Sequence, residues 1–277
     1  MDFPNPEVYK PWKNAELQDL FTLQPEDTVM DLGANAGYFV FFAHREMAGR
    51  GRVFSYEPSL FTCAFLELNV GCLTTAEFHV ICDQCMVTAT GKEESFDDHT
   101  FTSRGAARSG RSEKNPYSHL DYPGTKRYNV QGKSFSSLIT DDTSAIKMDI
   151  ERSELELLTD KSVDYKNVRV LYAEISSKWL VAKNPNGNGW IRFWRVLQTL
   201  RSKGFEYIEI PNSAYKSRFW KQKGGNDFMM FAYRPTGERR ENKPDLSPDQ
   251  IKHLTRWKKF KLEIIQSTNC RKGRKRR

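Results

Sequence analysis

The chain has 277 residues, of which 38% are hydrophobic, and a formal net charge of +8. That is enough to bury a sizeable core in one globular domain with additional polar segments. No apolar run approaches the ~18 residues of a membrane span, and the opening MDFPNPEVYKPWKN is polar with three prolines, so neither a spanning helix nor a secretory leader is expected.

Residues 1–24 read as an N-terminal extension with a short helix over 14–22, ahead of a domain over residues 25–237. The first strand, 27–32, ends at Asp31 and runs into GANAG. Gly33 and Gly37 in that turn let backbone approach a ligand where a side chain would collide. The pattern is G-x-N-x-G, neither the dinucleotide fingerprint nor the phosphate loop, and no lysine follows the second glycine. A helix over 38–47 follows, opening on Tyr38.

A second strand, 52–57, ends in Glu57. Pro58 stops the pairing and Ser59 is suited to cap a helix over 60–70. An acid at the tip of the second strand is placed to accept hydrogen bonds from both hydroxyls of a ribose. Asp31, Gly33, Asn35, Gly37, Tyr38, Glu57 and Pro58 therefore form the candidate cofactor-binding set.

A third strand is expected over 77–82. It carries Cys82 of a C-x-x-C with Cys85, but with no second pair or histidine cluster to complete a zinc site. Five cysteines without framework spacing point to reduced thiols. Residues 91–132, rich in Gly, Ser, Arg and Asp, show no period. They read as an irregular insert, either a substrate lid or a disordered segment.

The pattern resumes with a strand at 144–149 ending in Asp149, a helix at 151–160, and a strand at 168–175 with Glu174 near its tip. A helix at 189–203 and strands at 205–210 and 227–233 complete the series. Strand interiors exclude acids, which makes Asp149 and Glu174 candidate site residues. Glu151, favoured by the dipole at a helix start, joins them as a candidate catalytic group. Seven strands in this order fit an α/β, doubly wound, mostly parallel sheet with an antiparallel last strand and the ligand outside the strands' carboxyl ends. Residues 176–197 and 212–227 mix aromatics with cations. Trp179, Trp190, Phe193 and Trp194 are candidates to stack an acceptor, while Ile191, Trp194 and Leu197 have the spacing of a buried helix face.

Residues 238–277 hold 14 Lys/Arg against 5 Asp/Glu, or +9, so residues 1–237 carry −1 and the whole excess charge lies in the tail. A helix is expected over 247–266, followed by a disordered tail. Residues 271–277, RKGRKRR from Arg271 to Arg277, are a candidate RNA contact or nuclear import signal on an otherwise cytoplasmic protein.

Three stretches, DTVMDLGANAGYF at 27–39, VFSYEPS at 53–59 and AIKMDIERSELELL at 145–158, together resemble the FkbM family of class I S-adenosylmethionine-dependent methyltransferases. The third is similar to the family's K-x-D-x-E-G-x-E signature, with Glu154 as its second acid and Arg152 where glycine is usual. The resemblance covers residues 25–235. It implies S-adenosyl-L-methionine as cofactor and O-methylation of a small-molecule or glycan hydroxyl. Asp149 would take or orient the acceptor's proton. No metal is expected, a divalent ion at Asp149 and Glu174 being the alternative way to acidify a hydroxyl. A second reading is a cap ribose methyltransferase, with Asp149 and Glu174 as two members of a Lys-Asp-Lys-Glu tetrad and Lys13 and Lys178 as its cations. A third is a noncatalytic binding module that keeps the fold.

Overall fold

The computed structural model describes residues 22–98, 108–109, 126–150, 153–175, 183–184, 187–209 and 228–234. The chain divides into two units, Met1–Arg234 and Pro235–Arg277, and every described residue belongs to the first.

Its elements in chain order begin with β1 (Thr28–Leu32), α1 (Tyr38–Glu46), β2 (Gly51–Tyr56), α2 (Leu60–Val70) and β3 (Phe78–Asp83). Short strands β4 (Met86–Thr88), β5 (Glu94–Asp98), β6 (Arg108–Ser109), β7 (Lys126–Val130) and β8 (Gly132–Ser134) come next, with the one-turn helix α3 (Phe135–Leu138). Then follow β9 (Thr143–Met148), α4 (Glu154–Leu157), β10 (Val170–Ile175), β11 (Lys183–Asn184), β12 (Gly187–Asn188), α5 (Gly189–Ser202), β13 (Tyr207–Glu209) and β14 (Phe228–Tyr233).

Seven strands form the central sheet in the order β13-β14-β10-β9-β1-β2-β3. All neighbours pair in parallel except β14, which runs antiparallel to both β10 and β13. This is the expected doubly wound sheet. The order doubles back at β1: β2 and β3 extend it one way through helical crossovers, and β9 and β10 the other. The carboxyl ends of β1, β2 and β9 therefore surround the switch point where such sheets bind ligands.

Burial on both faces explains the near-continuous apolar runs of the central strands. Val29, Val53, Ala145, Val170 and Tyr172 pack with Phe39, Val40 and Ala43 of α1. The Tyr172 ring meets Phe39 edge-on at 5.8 Å and Phe231 at 5.7 Å. Each such aromatic contributes about 1.5–3 kcal/mol by leaving water. The β1–β9 junction is also tied at its far end, where Thr28 N–H donates to Ser144 Oγ and Ser144 Oγ–H donates to the Thr28 carbonyl.

The segment at 91–132 differs from its irregular reading. Its flanks form a small antiparallel sheet, β6-β5-β7, around a core of Met86, Phe96 and Val130. β8 returns beside β4, so the insert leaves and rejoins the chain at neighbouring points. The helix expected over 151–160 is only the turn Glu154–Leu157 among the described residues. In α5 the buried face is Phe193, Val196, Leu197 and Leu200, with Trp194 half-buried. Phe193 is thus core rather than an acceptor contact. Among the described residues, no helix is long and apolar enough to cross a membrane.

Candidate functional site

Register builds the site in two rows. Asp31 stands opposite Ser55 on β2 and Lys147 on β9, and Lys147 in turn stands opposite Tyr172 on β10. Extending each register by two residues sets Gly33, Glu57, Asp149 and Glu174 side by side at the carboxyl edge, on the same face because side chains repeat every second residue. Two bonds hold this edge together: Gly33 N–H donates to the Tyr56 carbonyl at 2.9 Å, and Asp149 N–H to the Leu32 carbonyl at 2.9 Å. Asp31, Glu57, Asp149 and Glu174 are thereby brought to one end of four adjacent strands.

The turn after β1 keeps three residues at positive φ: Gly33 at 74°, Asn35 at 51° and Gly37 at 92°. A Cβ on Gly33 would lie 1.8 Å from the Asp149 carbonyl oxygen, and one on Gly37 would lie 2.6 Å from Val70 Cγ1. The first glycine is thus required for the approach of β9, and the second for the packing of α2. Asn35 is exposed and its Oδ1 accepts from Ala36 N–H at 2.7 Å, while Tyr38, opening α1, and Pro58 are half-buried.

Asp31 is fully buried at 0% exposure, and Lys147 is 3% exposed. Lys147 Nζ lies 3.1 Å from Asp31 Oδ1 and donates to the Gly33 carbonyl at 2.6 Å. Burial pushes the Asp31 carboxyl above its usual range; the Lys147 ammonium pulls it partly back. The ion pair leaves both Asp31 oxygens without an aligned hydrogen bond, and the neighbouring buried Ser55 hydroxyl also has none.

Glu57, 5% exposed, follows β2 directly. Its Oε2 accepts from Asn35 N–H at 2.9 Å and its Oε1 from Ser59 N–H at 2.9 Å. Burial raises its carboxyl from the ordinary 4.5 to about 7, against the opposing pull of these two amides and of Lys147. Each oxygen keeps acceptor capacity beyond its single amide, which suits a pair of neighbouring hydroxyls. Glu154, buried, accepts from Ile150 N–H at 3.0 Å and so fixes the backbone just past Asp149. Glu151 and Arg152 lie outside the described residues, as do Lys13, Trp179, Lys178 and the tail at 271–277.

Lys147 is the lysine of the KMDIERSE stretch, but the sequence reading gave it no role, although the exclusion of charge from strand interiors applies to it as well as to the acids. The Cys82–Cys85 pair straddles the end of β3. Burial pushes the Cys82 thiol up to about 11 and those of Cys63 and Cys85 up to about 12. These thiols stay protonated and unreactive at neutral pH. Among the described residues, no group of three or more His, Cys, Asp or Glu side chains is arranged to hold a metal ion.

Residues 31–207 match the model of the methyltransferase FkbM domain. Among solved structures, the chain is similar to a methyltransferase FkbM from Methylobacillus flagellatus KT, at 15% identity and a TM-score of 0.47, covering 83% of this chain and 50% of that one. It spans half the length of that protein. It is also similar to Methanococcus jannaschii fibrillarin, a pre-rRNA processing protein, at 12% identity and a TM-score of 0.42, covering 84% and 77% of the two chains. Aeropyrum pernix fibrillarin, solved with natively bound S-adenosyl-L-methionine, shares 13% identity over 76% of this chain and 68% of that one, with a TM-score of 0.39. No curated protein matches.

Proposed function

The chain belongs to the methyltransferase FkbM family, and we propose that it is an S-adenosylmethionine-dependent O-methyltransferase acting on a hydroxyl of a small molecule or glycan. The observation that carries this reading is the carboxyl-edge row: an amide-bound Glu57 beside the glycine turn, with Asp149 and Glu174 where the extended registers of β9 and β10 bring them, two and three strands away.

The residues fit the cofactor. Glu57 presents acceptors to the two ribose hydroxyls, and the orphaned oxygens of buried Asp31 and Ser55 mark a polar wall behind the turn. Among the described residues, Asp31, Glu57, Asp149 and Glu174 stand at this edge with the Lys147 ammonium, a balance favourable to a cationic ligand. Gly33, Asn35, Gly37, Tyr38 and Pro58 shape the rim. When bound, S-adenosylmethionine supplies a methyl group already activated on a sulfonium. The protein's share is then to align the acceptor, exclude water and take its proton. Asp149, half-buried on the acceptor side, is the base for that proton, and Glu174 beside it orients the hydroxyl.

Incubating the protein with S-adenosylmethionine carrying a labelled methyl group, and with fractionated small molecules, glycans and capped RNA, tests this. Label is expected in a glycan or small-molecule fraction as a methyl ether. Label confined to RNA would move the assignment to the ribose reading, and no cofactor binding at all would overturn the enzyme assignment.

A further inference from the structure

The insert strands reach the cofactor edge through a buried hydrogen-bond relay. Asp98 closes β5, is 2% exposed, and comes from a segment whose composition reads as solvated loop. Its Oδ2 accepts from Ser59 Oγ–H at 2.7 Å and from Tyr128 O–H of β7 at 2.8 Å. Each hydroxyl also accepts a backbone amide from the first turn of α2: Thr62 N–H to Ser59 Oγ at 3.1 Å, and Leu60 N–H to Tyr128 Oη at 2.9 Å. The Ser59 N–H is the donor held by Glu57 Oε1.

Such geometry leaves little freedom. A hydroxyl that accepts an amide must turn its single proton elsewhere, and Asp98 receives both protons at one oxygen. Ser59 is thereby fixed in position, with its amide aimed at Glu57. Tyr128 supplies a helix-capping acceptor from a distant strand, a task ordinarily done by a residue next to the helix. On the other face of β5, away from the relay, Arg127 donates to Asp97 at 2.5 and 2.9 Å, while Lys126 stands over the Phe61 ring of α2 at 4.7 Å.

We propose that Asp98 and Tyr128 are positioning residues of the cofactor site: the insert, through Ser59, sets the orientation in which Glu57 receives the ribose hydroxyls. The inference rests on the reading of Glu57 as the ribose acceptor.

Calorimetric titration of S-adenosylmethionine into the full-length protein tests it, using Tyr128→Phe, Asp98→Ala and Glu57→Gln, with Asp97→Asn as the control on the solvent side of β5. Tyr128→Phe and Asp98→Ala should each raise Kd about tenfold, about 1.4 kcal/mol, whereas Asp97→Asn should bind as the parent does. Added to Glu57→Gln, Asp98→Ala should weaken binding by less than twofold further, because its effect passes through Glu57. Full additivity in that double variant would overturn the relay. So would parent-like affinity in Tyr128→Phe and Asp98→Ala while Glu57→Gln binds weakly. Should Asp98→Ala fail to fold, Tyr128→Phe alone and combined with Glu57→Gln gives the same cycle. Unchanged affinity in Glu57→Gln would instead overturn the cofactor reading, and this inference with it.

Discussion

Lys147 and Asp31 form a buried pair across two neighbouring strands, 3.1 Å apart, and the same ammonium ties down the Gly33 carbonyl. The turn after β1 is therefore anchored by charge as well as by backbone conformation. Lys147→Met should lower the unfolding free energy by about 3–5 kcal/mol, because it leaves a carboxylate buried without its cation. Adding Asp31→Asn should restore part of that loss. Urea denaturation of the two variants is the check, and parent-like stability in Lys147→Met would show that the pair does not anchor the turn.

Glu57 should make both folding and cofactor binding depend on pH. Its folded value, about 7, lies above the ordinary 4.5. Between these values the folded state holds a proton that the unfolded chain has released. Stability therefore falls as pH rises through that window and is flat above it, by an amount on the order of 3 kcal/mol. Cofactor affinity runs the other way, since the ionised carboxylate is the better acceptor for two hydroxyls. The affinity should tighten from about pH 6 to 8. Glu57→Gln should flatten both profiles, in thermal melts and in calorimetry respectively.

The two glycines of the turn should differ in sensitivity. Gly33→Ala drives a methyl into the backbone carbonyl of Asp149, whereas Gly37→Ala meets side-chain carbons of Val70 and Leu66. Both also place alanine at positive φ. Gly37→Ala should cost roughly 1–3 kcal/mol and Gly33→Ala more, because backbone on β9 must retreat. Melting temperatures in the reverse order would contradict the packing described.

Binding and chemistry should separate between Glu57 and Asp149. Asp149→Asn should leave S-adenosylmethionine affinity within about twofold and lower turnover roughly 100-fold or more, the usual scale for a general base. Glu57→Gln should instead weaken affinity. Calorimetry beside labelled methyl transfer distinguishes the two, and a loss of affinity in Asp149→Asn equal to that in Glu57→Gln would merge the proposed roles.

The seven strands were legible because each is a short apolar run ended by a polar group, as Val29, Met30 and Leu32 are by the glycine turn. Asp31, Glu57, Asp149 and Glu174 were legible for the same reason, as acids at the ends of such runs. The insert sheet was not. In β5 and β7, ESFDD and KRYNV, Asp97 is paired across the strands by Arg127, and Asn129 donates to Glu93 just before β5; neither segment alone shows its partner. Phe96, Tyr128 and Val130 carry its small core, too few residues to register as a period. Lys147 was visible as a letter but not as a contact, because its role depends on a strand more than a hundred residues away.

That separation has an entropic side. The Thr28–Ser144 bonds close a loop of 116 residues, and without residues 91–132 it would shrink to roughly 74. Closure cost grows only as the logarithm of length, so the insert adds about 0.4 kcal/mol to pairing β1 with β9. Its length is almost free thermodynamically, because the chain leaves and returns side by side at β4 and β8. Natural variation can lengthen, shorten or exchange the middle of this segment without loosening the sheet, provided the ends still deliver Asp98 and Tyr128 to the head of α2.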